Sequence, residues 1–380
     1  MKIGIITFHA SYNCGSILQC IALKKKLEDK GLSVDIINFS TVEQQKLYSV
    51  FYGKLTLKNL VKNFLCIHGY RKIADHYLQY KEYITQAFNL EGDFYHTSDE
   101  LKEHLPKYDM LIAGGDQVWN VNCDDFSTAY FLDFDDDTYK ISFSPSLGAT
   151  NINYSAKAKE YGELLSHFND ISCREVNGAK WLEQLTGRKI RLVADPTLLL
   201  TQNEWISLIH QDFILPFEGD FIFYYAFSYS SKNNERIQDI AEDAGLKVVV
   251  IDAKQWYIKG LGRYRNFVLC DETGPNAFLN LMLQSKYVIT TSFHGTAFSL
   301  NFHKKFVYIN NKNHEPTDDR TSFLLEQMGL MEKYIFVDEV SLGKLDEYID
   351  YAACDKLISE MRNEAQQYLE TNIEKARGIK

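Results

Sequence analysis

The sequence predicts an α/β protein built as two doubly wound domains, residues 1–195 and 196–351, that face each other across a cleft, with a last helical segment over 352–380. Three observations lead there. A length of 380 residues exceeds one ordinary core and suits two. Apolar residues make up 45% and charged residues 24%, the balance of a globular chain rather than a disordered or fibrous one. A strand–helix–strand pattern opens the chain and starts again after Asp195-Pro196.

Lys2 to Phe8 is a nearly continuous apolar run, as expected for a parallel strand covered on both faces. A polar loop, His9 to Gly15, leads into a helix over Ser16 to Lys30; Gly31 ends it, and Val34 to Phe39 gives a second buried strand. Residues 42–105, rich in Tyr, Lys and Phe, read as helices and connecting loops that cover the sheet and carry no chemical signal. Tyr108 to Ala113 returns to strand and ends in Gly114-Gly115-Asp116; Tyr139 to Ser144 is another strand, ending at Ser146-Leu147-Gly148. Two helical segments bracket Ile171-Ser172-Cys173-Arg174-Glu175. Leu192 to Ala194 runs into Asp195-Pro196, read as a hinge because proline holds the residue before it extended.

In the second half, Phe221 to Ala226, Leu246 to Asp252, Tyr287 to Thr291 and Phe306 to Ile309 read as strands. Asn233 to Ala244, Asn276 to Gln284 and Gly295 to Phe302 read as the helices between them. Ala352 to Arg377 is a long amphipathic helix that either ends the second domain or packs back on the first.

A formal charge of −10 argues against a nucleic-acid binder, and it requires any site for an anion to gather its cations locally. The seven cysteines are scattered without a CxxC pair, which fits free thiols in a reducing compartment. The N-terminus has no long apolar h-region, and no uncharged apolar run approaches bilayer length, so a cytoplasmic protein is expected. No basic amphipathic anchor stands out.

The expected strand ends hold the candidate chemistry, because ligands of doubly wound sheets bind beyond the carboxyl ends of the strands. In His9 to Gln19, Gly15 lets backbone approach a ligand, and the following helix offers free N–H groups to an anion; the plainer reading is a tight turn with Asn13 or Ser16 as cap. Asp116 and Gln117 follow two glycines, so that Asp116 either orients a sugar hydroxyl or caps a short helix. Trp119 reads as packing. Arg174 offers a planar two-point contact to a carboxylate or phosphate, or a structural ion pair with Glu175 or Asp195. His294, between Ser292-Phe293 and Gly295-Thr296, sits at a helix N-terminus and is the side chain best placed to exchange a proton near neutrality. Cys14 lacks an identifiable base, and Asp133 to Asp137 lacks metal-ligand spacing. His303, His314 and Arg320 lie downstream.

Five stretches, in order, resemble the landmarks of the polysaccharide pyruvyl transferase family: Asn13 to Gln19, Gly114 to Asn120, Ile171 to Glu175, Ala194-Asp195-Pro196-Thr197, and Ser292-Phe293-His294-Gly295. The resemblance spans roughly Met1 to Leu330. It implies two Rossmann-like domains of GT-B type, with acceptor on the first and donor on the second. It implies phosphoenolpyruvate as co-substrate, no further cofactor, and a sugar or lipid-linked oligosaccharide acceptor at the inner face of the membrane. The enolpyruvyl group would close a ketal on two sugar hydroxyls. Carried residue by residue, it implies His294 as general acid or phosphate ligand and Arg174 as a ligand of the donor anion; Ser292, Gly295 and Arg320 (which otherwise starts the helix Ser322 to Met328) are the further donor-side candidates. Asn13, Gly15, Ser16, Gln19, Asp116 and Gln117 would face the acceptor. One departure stands out: members of the family commonly carry an arginine two residues before the histidine, and here that position is Ser292. Arg320 or Lys304 is then the expected substitute cation, or the donor differs. A GT-B glycosyltransferase using a nucleotide sugar and a non-catalytic glycan-binding relative are the competing expectations.

Overall fold

The computed structural model describes residues 1–378 apart from 91, 93, 136, 210–212 and 312–317. In the first half β1 (Lys2–Ile6), β2 (Ser33–Ile36), β3 (Met110–Gly114) and β4 (Tyr139–Phe143) form an all-parallel sheet in the order β2-β1-β3-β4. Every residue of β3 and β4 is buried, as a strand with helices on both faces requires. A short parallel pair, β5 (Ser172–Cys173) and β6 (Arg191–Leu192), continues beyond β4, where Ser142 Oγ donates to Ser172 O at 2.9 Å.

In the second half β7 (Phe221–Tyr225), β8 (Lys247–Val250), β9 (Phe267–Leu269), β10 (Tyr287–Thr290), β11 (Lys305–Ile309) and β12 (Tyr334–Ile335) make a six-stranded parallel sheet in the order β12-β11-β10-β7-β8-β9. Strand order reverses between β1 and β3 in one sheet and between β7 and β10 in the other. Loops leaving such a pair part to opposite faces and open a crevice at the carboxyl ends.

Both crevices are bordered by helix N-termini. Helix Cys14–Glu28 begins two residues before the sequence expectation, because the Asn13 side chain accepts from the N–H groups of Gly15 and Ser16. Helix Phe293–Asn301 is capped by Ser292, whose hydroxyl accepts from Gly295 N. At Asp195-Pro196, expected as a hinge, Asp195 caps the short 3-10 helix Pro196–Leu198.

The last helix, Tyr351–Gly378, returns to the first sheet. Tyr368 Oη donates to Ser142 O at 3.0 Å and Tyr139 Oη to Asn372 Oδ1 at 2.8 Å. On the way the Arg362 guanidinium donates to the carbonyls of Leu198 and Leu200 at 3.0 and 3.3 Å.

Residues 42–88 depart from expectation. Instead of only covering the first sheet, they reach the second: Lys72 pairs with Asp271 at 2.8 Å, Lys254 donates to Ser49 O at 2.7 Å, and Gly69 lies against the Tyr257 ring. No helix among the described residues is long and apolar enough to cross a membrane.

Candidate active site

The two crevices meet. At the N-terminus of helix Cys14–Glu28, a Cβ placed on Gly15 would overlap the His294 imidazole, so glycine is what lets these two helix ends touch. Opposite them β3 leaves through Gly115 (φ 63°) and Asp116 (φ 57°), consecutive left-handed residues of which the second is not glycine. That bend turns the Asp116 carboxylate to accept from Ser16 Oγ and, at 2.8 Å, from Gln117 N.

Behind this contact lies a buried charge cluster. Arg174 follows β5 and is 4% exposed; its guanidinium pairs with Asp195, lies 3.9 Å from both Asp116 and Glu175, and sits 4.6 Å over the Phe293 ring. His294 Nε2 is 3.7 Å from the same Asp195 carboxylate, which also accepts from Thr197 N and Oγ1 at 2.9 and 2.7 Å. Burial by itself would raise the Asp195 carboxyl, but Arg174 and His294 outweigh it and hold the group well below the usual carboxylate range. Glu175 goes the other way: burial pushes it up to about 7 against the pull of Arg174 and Arg320. Two carboxyls beside one arginine are thus driven apart, Asp195 to the anion and Glu175 towards the neutral acid.

Arg174 Nε and Nη2, His294 Nε2 and Glu175 Oε2 are buried and find no hydrogen-bond partner among the described residues. Unmade bonds of this kind are costly, and an anionic ligand would satisfy the nitrogen donors. Of this cluster His294 and Asp116 reach a cavity of about 140 Å³, which Asn13, Ser16, Gln117 and Arg320 also line. Asn13, Tyr48 and Phe227 also line a second cavity of about 430 Å³ walled by Tyr12, Tyr52, Tyr77, Tyr80, Tyr225 and Tyr229. At its β8 end the carboxyl of Asp252, raised by burial, caps helix Ala253–Lys259.

A model of the polysaccharide pyruvyl transferase family matches residues 13–313, a stretch that holds this cluster and both helix N-termini. The chain belongs to the polysaccharide pyruvyl transferase family. No curated protein matches it by sequence. Among solved structures it is similar to the UDP-GlcNAc 2-epimerase of Neisseria meningitidis bound to UDP-GlcNAc, at 11% identity and a TM-score of 0.52, covering 98% of this chain and 100% of that one. It is also similar to S. aureus MnaA in its co-structure with UDP, at 14% identity and a TM-score of 0.50, over 96% and 90% of the two chains. These likenesses show the fold, the two-domain GT-B arrangement.

Of the residues expected in this pyruvyl transferase family member's site, the structure brings Gly15, Ser16, Asp116, Arg174 and His294 together. Asn13, Gln117 and Arg320 line the adjoining cavity. Arg320 is a poor stand-in for the absent family arginine, because Asp318 already takes its charge through bonds of 2.7 and 2.5 Å. Lys304 points elsewhere, donating to Leu283 O at 3.2 Å. Ser292 is 1% exposed and spent on the cap, and Gly295 packs on Thr290. Gln19 is fully buried behind the loop, donating to Thr7 Oγ1 at 2.9 Å. Cys14 is unsuited to attack, since burial pushes its thiol up to about 12. Trp119 packs, with Nε1 donating to Tyr130 O at 2.9 Å. His303 bonds Asp355 at 2.8 Å and stacks on Tyr351; His314 lies outside the described residues.

Asp195 and Glu175 were expected only as alternative ion-pair partners of Arg174; the structure forms the Asp195 pair and sets His294 beside the same carboxylate, which the sequence did not show. Both stood in the family landmarks, but an acid before proline reads as a hinge and an acid after arginine as a local ion pair. The tyrosine wall was missed; its one signal was the tyrosine content of residues 42–88.

Proposed function

We propose that this chain moves the enolpyruvyl group of phosphoenolpyruvate onto two hydroxyls of a sugar in a cell-surface polysaccharide or its precursor, forming a pyruvate ketal and releasing phosphate. The observation that carries this reading is that the Asp195 carboxylate holds Arg174 and His294 side by side, while Arg174 Nε and Nη2 and His294 Nε2 stay buried without a hydrogen bond among the described residues. In a chain of net charge −10 that local supply of donors suits a small, highly charged donor, and family membership supports it.

His294 gives a proton to the methylene carbon of phosphoenolpyruvate, leaving C2 electron-poor while Arg174 holds the carboxylate or phosphate. One sugar hydroxyl adds to C2 and passes its proton to Asp116. Phosphate departs with the electrons of its C–O bond, the second hydroxyl closes the ketal, and its proton leaves with the phosphate. The proton on Asp116 returns to His294, which balances the cycle. The tyrosine-walled cavity receives the acceptor, because the apolar faces of pyranose rings pack on aromatic rings and Asp252 can accept from their hydroxyls. The acceptor is proposed to be carried on lipid, at the cytoplasmic side where phosphoenolpyruvate is formed.

Calorimetry tests the donor assignment. Saturable phosphoenolpyruvate binding by wild type, lost in Arg174→Ala, is expected. Binding of UDP or GDP with none of phosphoenolpyruvate would replace this reading with nucleotide-sugar transfer.

A further inference from the structure

Helix Leu57–His68 is amphipathic the wrong way round for a soluble protein. Its polar edge faces inward: the Asn63 side chain donates to Tyr52 O at 3.1 Å and accepts from Tyr52 N at 2.7 Å, and Cys66 is fully buried. Gly69, which ends the helix, seats it against Tyr257. The apolar side chains point outward: Leu57 is 79% exposed, Leu60 51%, Val61 55%, Phe64 62% and Ile67 60%. At 3.6 residues per turn these positions sweep an arc of about 120° on one face. Ordinarily such a stripe faces the core.

The exposure is concentrated here. Eleven of the nineteen exposed large apolar side chains among the described residues fall within 42–78, including Leu55 at 87% and Tyr70 at 50%, the latter stacked on Phe51. A patch of this size on a monomer marks a contact surface. Charge chooses among contacts. Residues 44–74 carry no Asp or Glu; with Lys46 paired to Glu43 and Lys72 to Asp271, the charge of this segment rests on Lys54, Lys58, Lys62 and Arg71, in a chain whose net charge is −10. A second copy of this chain would oppose one such basic surface to another. An anionic lipid surface satisfies both halves of the pattern: acyl chains take the apolar stripe and headgroups the flanking cations.

We infer that residues 51–72 are a peripheral membrane-docking surface for anionic lipid, with helix Leu57–His68 lying in the plane of the interface. The inference is independent of the donor assigned above. It bears on the acceptor, because Tyr52, beside the docking helix, lines the tyrosine-walled cavity. A docked molecule would hold that cavity close to the headgroups.

The test is co-sedimentation of the full chain with vesicles of phosphatidylcholine alone and of phosphatidylcholine mixed with phosphatidylglycerol. Wild type should partition to the mixed vesicles and lose most of that binding in high salt. Phe64→Glu should weaken partitioning at least tenfold with unchanged melting temperature, and reversal of Lys54, Lys58 and Lys62 to Glu should do the same. Tyr348→Glu, at an exposed side chain outside this segment, should bind as wild type does. No binding to mixed vesicles would overturn the inference. So would an equal loss in Tyr348→Glu, or a wild-type dimer in sedimentation velocity that Phe64→Glu makes monomeric, which would assign the face to a second copy.

Discussion

Glu175→Gln isolates one electrostatic feature of the site. The Glu175 carboxyl is fully buried, accepting from Leu147 N at 2.7 Å and Ser146 Oγ at 3.0 Å, and glutamine keeps both bonds through its carbonyl oxygen. What it removes is ionisation. In the folded chain this group titrates at about 7 against an ordinary 4.5, so between those values the folded state holds a proton that the unfolded chain has released. Stability therefore falls as pH rises through that window and is lowest, for this contribution, above pH 7. A gap of about 2.5 pH units at about 1.4 kcal/mol each gives about 3 kcal/mol. For a chain of this length that corresponds to about 4 °C in melting temperature. Calorimetric melts of the two proteins from pH 4 to pH 8.5, compared at each pH, cancel the other titrating groups. The variant should match wild type at the acid end and exceed it by about 3 kcal/mol at the alkaline end. Parallel curves would refute the reasoning, because Glu175 would then be ionised in the fold like an exposed glutamate.

Two further perturbations separate chemistry from scaffolding. Gly15→Ala forces a methyl into the His294 ring; turnover should fall at least about tenfold, with about 1–3 kcal/mol of stability lost to overpacking, and an unchanged rate would show that His294 is not held at this contact. Ser292→Ala removes a helix cap, costing about 1 kcal/mol in denaturant unfolding, while phosphoenolpyruvate affinity stays as in wild type; lost affinity would return Ser292 to the donor site.

Much of the fold was legible because buried parallel strands are written as short apolar runs stopped by glycine or a polar residue. β1, β3, β4, β7 and β10 all end within two residues of where their composition places them. The loops after them follow from the rule about carboxyl ends, which is why His294, Arg174 and Asp116 stood among the candidates; that they meet in one cluster is a finding of the structure. Strand order was not legible, since a parallel strand carries no mark of its neighbour. Residues 42–88 were misread for a different reason. Periodicity tells which face of a helix is apolar but not which way that face turns, and helix Leu57–His68 turns Asn63 and Cys66 inward and Leu57, Leu60 and Phe64 to the surface. Asp195 was legible as an ion-pair partner of Arg174 but not as the group that also holds His294, since nothing in the sequence sets residues 195 and 294 side by side.

The Arg362 guanidinium, partway along the final helix, ties that helix to Leu198 and Leu200, where the chain passes between its halves. Asp195 lies three residues before that tie, and its carboxylate is shared by Arg174 of the first half and His294 of the second. The alignment of the anion ligand with the proton donor therefore depends on how one short connecting segment is held, so a substitution as distant as Arg362 bears on the site through Asp195.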